Sequence, residues 1–483
     1  MRNVMLTFVA GLVLLTECGC QSMRVLMGRR TPYAPPQAYW RQQADHQLTA
    51  DARAHWNYAL DLIDVIAYSQ DRYFEVPEPY DPTMFRRWVE KYGLNPVVLE
   101  RVFGSFADDP DYGWPRSLRG VAWMYALLPY LFAAPSVAII EPERTAEAAY
   151  VLREGIEMLR SPASWMDYAI IQGYGDPMRE NMMWKGPLLI SECLYTLVSG
   201  DRAYEPEIRA VARNLYETQQ ANLRRPLGKG YSGGVECEPN QWFPQCNSMG
   251  CLGLALYDKV FGPDPKYGLL IGEVYRTNYL RFIREYMSDP ETGLVYRRWH
   301  PYGPQQVDPD LSGFANVFVA LNLHAFVPEF AENIYRHIRT RYVRRLPFGL
   351  GAFMLEVPEK DIHQRVTNPG ADQPGMLGET AANIALAWVA SREFDDPATF
   401  DQIHRFLVNL MHPYYRQAEV RFDETNPEPS GLEGFTTGQL MNMFNGWWLF
   451  AKVHVGWKTI LEHDWSRHRD RDGRPLGAVR RSR

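Results

Sequence analysis

Two cysteines nine positions apart, Cys237 and Cys246, lie in the segment Gly233-Gly234-Val235-Glu236-Cys237-Glu238-Pro239-Asn240-Gln241-Trp242-Phe243-Pro244-Gln245-Cys246-Asn247-Ser248. Thiols, carboxylates, amides and aromatics crowd together here. Pro239 and Pro244 stiffen the stretch and Gly233-Gly234 lets the backbone turn into it, so the pattern predicts a loop. A thiol with an unperturbed pKa of about 8.5 can give or take a proton near neutrality. Asn247 is a favoured N-cap residue, and a helix starting there sets Cys246 beside the positive helix end, which lowers a thiol pKa. Three other readings compete. A metal knuckle fits poorly, because the cysteine spacing is too wide and no histidine lies nearby. A Cys237–Cys246 disulfide and a pair of inert buried thiols both stay open.

The elements that must position this loop read as helices. Ala149, Leu152, Ile156 and Leu159 recur at three- and four-residue spacing, as do Ile208, Val211 and Leu215. Similar patterns predict helices over 48–70, 115–133, 145–160, 186–199, 204–223, 246–261, 268–287, 314–326, 329–345, 378–391, 396–410 and 436–453. Turn clusters such as Ser199-Gly200-Asp201 and Gly262-Pro263-Asp264-Pro265 separate them. The best strand candidates are Leu294 to Trp299 and Ala352 to Val357. A dozen helices without a parallel-sheet pattern predict a mainly α chain, with paired helices closing into an (α/α) barrel.

The 483 residues carry a formal net charge of −6, and the basic residues look scattered except in the tail, so a nucleic-acid groove is not expected. Arg2 and the apolar run Val4 to Leu15, followed by Cys18-Gly19-Cys20, form a signal-peptide pattern too short for a comfortable membrane span. Residues 1–20 are therefore expected to direct export, with Cys20 a candidate lipidation site and an uncleaved anchor the alternative. Any membrane contact would then run through that N-terminus, on the periplasmic or extracytoplasmic side. Residues 21–47 read as an extended linker, 48–462 as one barrel domain and 463–483 as a basic disordered tail. Only four of six cysteines remain beyond the export segment, so the chain is no disulfide scaffold.

The order Cys237-Glu238-Pro239-Asn240, Phe243 and Gln245-Cys246-Asn247 closely resembles the signature loop of the linalool dehydratase/isomerase family. Asp176-Pro177 and Asn181-Met182-Met183-Trp184-Lys185-Gly186-Pro187-Leu188 resemble a second stretch of that family, and a looser likeness covers most of residues 110–450. The resemblance implies an (α/α)₆ barrel, a cofactor-free lyase/isomerase acting on an allylic, terpenoid-like alcohol, and a homo-oligomer. It implies Cys237 and Cys246 as the proton-transfer pair, with Glu238 tuning one of them. Met183, Trp184, Lys185, Trp242, Phe243 and Asn247 are the candidates for contact with a small hydrophobic alcohol. The second stretch departs from the family where its pocket histidine falls on Pro187 and its Tyr-Ser pair on Trp184-Lys185. A proline side chain neither hydrogen-bonds a hydroxyl nor carries a proton.

Dehydration needs an acid at the hydroxyl and a base at a neighbouring C–H inside an apolar pocket. Lys185 reads either as a surface residue at a helix start or as a pocket cation for an acidic ligand. No nucleotide or metal motif occurs, in line with a cofactor-free enzyme. Two other function classes are carried forward. Asp308-Pro309-Asp310 with Glu236 and Glu238 could serve an (α/α) barrel glycosidase, and an exported binding protein without catalysis is the second. His324 reads as a packed or capped histidine.

Overall fold

A computed structural model describes residues 34–73, 120–160, 181–237, 240–356, 376–410, 415–416, 419–420 and 437–479. The export segment, Glu238 and Pro239 lie outside the described residues. The described helices are α1 (Pro36–Asp45), α2 (Ala50–Tyr73), α3 (Gly120–Ile140), α4 (Thr145–Arg160), α5 (Met182–Ser199), α6 (Glu205–Asn222), α7 (Pro244–Phe261), α8 (Ile271–Tyr286), α9 (Gly313–Leu323), α10 (Pro328–Arg341), α11 (Met376–Glu393), α12 (Pro397–Leu410), α13 (Thr437–Val453) and α14 (Trp457–Glu462).

The odd-numbered helices from α3 to α13 form a closed ring: each packs on the next, and α13 returns to α3. The even-numbered helices lie outside it, with α4 against α3 and α5, α6 against α5 and α7, α8 against α7, α10 against α9, α12 against α11, and α2 against α13. This is an (α/α)₆ barrel. Composition explains the two layers. Helix α5 is apolar on nearly every side, and every residue from Met182 to Ser199 is buried. Helix α6 buries one stripe, Ile208, Val211, Ala212, Leu215 and Gln219, and leaves its other face wet. Neighbouring inner helices run parallel. Gly186 lies beside Met249 and Gly250, and Gly253 beside Leu189 one turn further on.

All twelve expected helices are present, with shifted ends. The helix expected to start near Asn247 begins three residues earlier, with Pro244 in its first turn. The helix expected to run to residue 345 stops at Arg341, and Val343–Arg345 forms a strand (β3) paired antiparallel with β4 (Ala352–Met354). Of the strand expected at Leu294 to Trp299, only Arg298–Trp299 (β1) enters a ladder, opposite Val307–Asp308 (β2).

Two domain expectations are corrected. The linker 21–47 contains helix α1, which buries Tyr39 and Gln42. The Gln42 amide donates to the Lys452 carbonyl at 2.7 Å. The basic tail is docked as far as residue 479. His468 Nδ1 lies 2.9 Å from the Thr145 hydroxyl, Arg469 donates to the Leu197 carbonyl at 3.0 Å, and Ala146 N–H donates to the Leu476 carbonyl at 2.9 Å. Backbone partners, which composition does not reveal, hold the tail down. Among the described residues no helix is long and apolar enough to cross a membrane.

Candidate active site

The chain leaves α6, turns through Gly233-Gly234 and enters α7 with its two cysteines facing each other. Cys237 Sγ lies 3.3 Å from Cys246 Sγ, and Cys246 Sγ lies 3.6 Å from Met183 Sδ on α5. Neither thiol is in a disulfide, and both are buried. At 3.3 Å the sulfurs are in S–H···S contact and are not bonded, since a disulfide needs about 2.05 Å. Cys246 occupies the first turn of α7, two residues after Pro244, which has no N–H to leave unpaired at a helix start.

Asn247 locks the loop. Its side-chain oxygen accepts from Val235 N–H at 2.9 Å and from the Tyr275 hydroxyl at 2.7 Å. Its amide donates to the Val235 carbonyl at 2.9 Å and to the Phe243 carbonyl at 3.0 Å. These four bonds use the full capacity of a carboxamide. Asn247, expected as a substrate contact, is therefore a structural clamp. A Cβ at residue 234 would collide with the Asn247 oxygen and the Tyr275 hydroxyl, so the loop passes there only as glycine. Asn247→Ala is expected to destabilise the fold by about 2–4 kcal/mol, because it strands buried partners in an apolar setting. A urea midpoint giving a loss under about 1 kcal/mol would show that the clamp is not needed.

Outer helices support the clamp with residues that sequence reading missed. The Tyr279 hydroxyl donates to the Pro244 carbonyl at 3.0 Å. The Gln219 amide donates to the Gly233 carbonyl at 2.8 Å, and the Asn222 amide to the Gly234 carbonyl at 2.9 Å. Burial pushes the Tyr275 and Tyr279 hydroxyls well above their ordinary range, so both stay protonated donors. The available signal was Gln219 and Asn222 continuing the apolar stripe of α6 where carbon was expected.

The remaining candidates divide by direction. Met183 meets the thiols. Trp184 turns to the outer layer, its indole N–H donating to the Leu159 carbonyl at 2.7 Å. Lys185 is neither on the surface nor turned to the thiols: it is fully buried, and its Nζ donates to Asn214 Oδ1 on α6 at 2.9 Å. Trp242 is buried against Tyr279 and Phe282 of α8, and its backbone pairs with Trp299. Phe243 is the N-cap of α7 and packs partly buried against the core. Glu236 accepts from Asn240 N–H at 2.9 Å. Asp308 is paired with Arg298 at 3.2 Å. Cys193 and Cys251 are buried elsewhere on α5 and α7, and burial pushes both thiols upward. Among the described residues no cluster of histidine, cysteine and carboxylate is arranged to hold a metal.

A buried thiol pair at the head of an inner helix in an (α/α)₆ barrel defines the class of site. Residues 159–427 match the family model of linalool dehydratase/isomerase. That span covers more than half of the chain, and the chain belongs to the linalool dehydratase/isomerase family. Solved structures with partial likeness include three carbohydrate-active enzymes. A GH76 α-mannanase of Bacteroides thetaiotaomicron is 9% identical over 69% of this chain and 86% of its own, with a TM-score of 0.41. An unsaturated glucuronyl hydrolase of Bacillus sp. GL1 is 11% identical over 71% and 87%, TM-score 0.41. A family 105 glycoside hydrolase of C. acetobutylicum is 13% identical over 68% and 93%, TM-score 0.40.

Proposed function

We propose that the protein is a cofactor-free lyase/isomerase that dehydrates or isomerises a small hydrophobic allylic alcohol through Cys237 and Cys246. The observation that carries this reading is the contact between two buried thiols, 3.3 Å apart, inside the family-matched region. One thiol gives its proton to the hydroxyl, the C–O bond breaks, and water leaves a cation-like allylic fragment. The thiolate left behind removes a proton from the neighbouring carbon, which forms the diene and restores the thiol. The second sulfur lies close enough to pass that proton between the two positions. Return of water to the other end of the allyl unit, with reprotonation of the thiolate, gives the isomer. Low water access suits this chemistry, because bulk water would trap the cation.

Pro187 and the outward-turned Lys185 separate this pocket from that of relatives with histidine and Tyr-Ser at those positions, so the preferred alcohol is expected to differ from linalool. The N-terminal segment supports placing the enzyme outside the cytoplasm. The test is gas chromatography of the purified protein incubated with linalool, geraniol and smaller allylic alcohols under reducing conditions. A diene or isomer supports the reading. No product from any of them, with the fold intact and both thiols titratable, overturns it.

A further inference from the structure

From Asn333 to Leu355 the chain carries five arginines (Arg336, Arg339, Arg341, Arg344, Arg345), one histidine and no carboxylate, within a protein of net charge −6. This stretch comprises the end of α10 and the β3–β4 hairpin. Arg336, Arg339 and Arg345 are exposed, and Arg339 also reaches Asp396 at 3.4 Å. His337 is held below its ordinary range by burial and by Arg341 and Arg336.

The base of the hairpin is fixed. Ala352 and Met354 are buried, and Phe353 packs on Phe406 of α12 with centroids 5.4 Å apart. Gly313 N–H at the head of α9 donates to the Glu356 carbonyl at 2.7 Å, which ties the hairpin to the N-terminal end of the inner ring. The cysteine loop enters the ring at that end. The tip, Pro347-Phe348-Gly349-Leu350, is closed by Leu346 N–H donating to the Gly351 carbonyl at 2.8 Å. Phe348 at its apex is 96% exposed and sits at φ 59, the left-handed region that bulky residues seldom adopt. Among the described residues the other exposed large apolar side chains, Leu227 and Tyr302, stand at 52% and 43%. A full-water aromatic in an unfavourable backbone state, on a rigid and basic stem, is costly unless something receives it.

We propose that this hairpin docks the protein on an anionic lipid bilayer, with Phe348 entering the interface and the exposed Arg336, Arg339 and Arg345 lying on the phosphates. The order of chemistry matches the order of depth in a membrane surface. An apolar tip leads, and guanidinium groups that bind phosphate in a bidentate manner follow behind it. A convex, cationic tip of this kind fits a flat anionic surface and not a concave small-molecule site. The docking holds whatever reaction the thiols perform.

The test is flotation of the full-length purified protein with vesicles of pure phosphatidylcholine and of phosphatidylcholine with phosphatidylglycerol. Any contribution of the N-terminal segment is common to wild type and variants and cancels between them. Phe348→Ser is expected to weaken binding to the anionic vesicles by about tenfold. Arg345→Glu, which changes the local charge by two, is expected to weaken it about thirtyfold at low salt, with the difference fading at 0.5 M salt. Both side chains are exposed, so unfolding would not explain the loss. Equal binding of wild type and variants overturns the proposal, as does equal binding of wild type to both vesicle types. So does a variant that keeps vesicle binding but dissociates an oligomer in sedimentation velocity, which would make the tip a contact between copies.

Discussion

Cys246→Ala will lower turnover by about 10²–10⁴-fold, the range set by loss of a positioned proton donor or acceptor. The substitution removes one sulfur from a buried site and should cost only about 1 kcal/mol of stability, so circular dichroism and thermal unfolding should look native. Cys237→Ala should fall as far, because either sulfur alone loses its proton partner 3.3 Å away. The double variant should be little worse than either single one, as expected for residues acting as a unit. Cys193→Ala and Cys251→Ala are the controls. Both thiols are buried outside the pair and pushed upward in pKa, so their loss should leave turnover within about twofold. Turnover above a tenth of wild type in Cys246→Ala would remove the pair from the mechanism.

Glu393→Ala will destabilise the barrel by about 3–5 kcal/mol, the cost of breaking a buried charge cluster by removing one member. Glu393 ends α11 and is almost wholly buried. It meets His324 at 3.0 Å, His454 at 2.6 Å and Trp457 N–H at 2.9 Å. One carboxylate thereby fastens the C-terminal ends of three inner helices, α9, α11 and α13, and the head of α14. Burial alone would raise its pKa. The hydrogen bonds from His324 and His454, the His454 charge and the Trp457 N–H outweigh burial and hold it below the ordinary range. A carboxyl with a depressed native pKa adds stability above its unfolded value, near 4.3, and loses that contribution as pH falls through the native value. The gap in urea midpoint between wild type and variant should therefore be constant above about pH 5 and shrink below about pH 4. A gap that stays unchanged down to pH 3 would assign the stabilisation to packing. His324, read from the sequence as packed or capped, belongs to this fastening.

The barrel was legible because apolar periodicity and turn clusters are local signals. All twelve ring helices could be read to within a few residues at most ends. Some ends slipped beside prolines that the helices carry inside them. The helix expected to start at residue 186 begins at Met182 and carries Pro187 inside it. Helix α3, expected to end at residue 133, continues through Pro135 to Ile140. Neighbouring helices can supply enough packing to offset a lost backbone bond, and that compensation is invisible in one segment. Strand β4 was legible within the expected Ala352 to Val357, whereas β3 was hidden inside the helix expected to run to residue 345, where clustered arginines blur any period.

At the site, residue order revealed which segment mattered but not which way each side chain points. Trp184 and Lys185 follow Met183 in sequence, but the helix rotates them onto the outer layer, where Leu159 and Asn214 receive them. Asn247 was expected to meet the substrate. Its four partners come from Val235, Phe243 and Tyr275, and only the folded loop brings them together.

Closure of the inner ring between α3 and α13 joins segments more than 290 residues apart in the chain. Five of the six inner seams can form as neighbouring helix pairs leave the ribosome, but the last must wait until α13 has been made. Until then α3 exposes the apolar face that α13 will cover, and a nascent or C-terminally truncated chain is an aggregation hazard and a natural client for chaperones. A frameshift removing only the final fifty residues would thus act on solubility before it could act on catalysis.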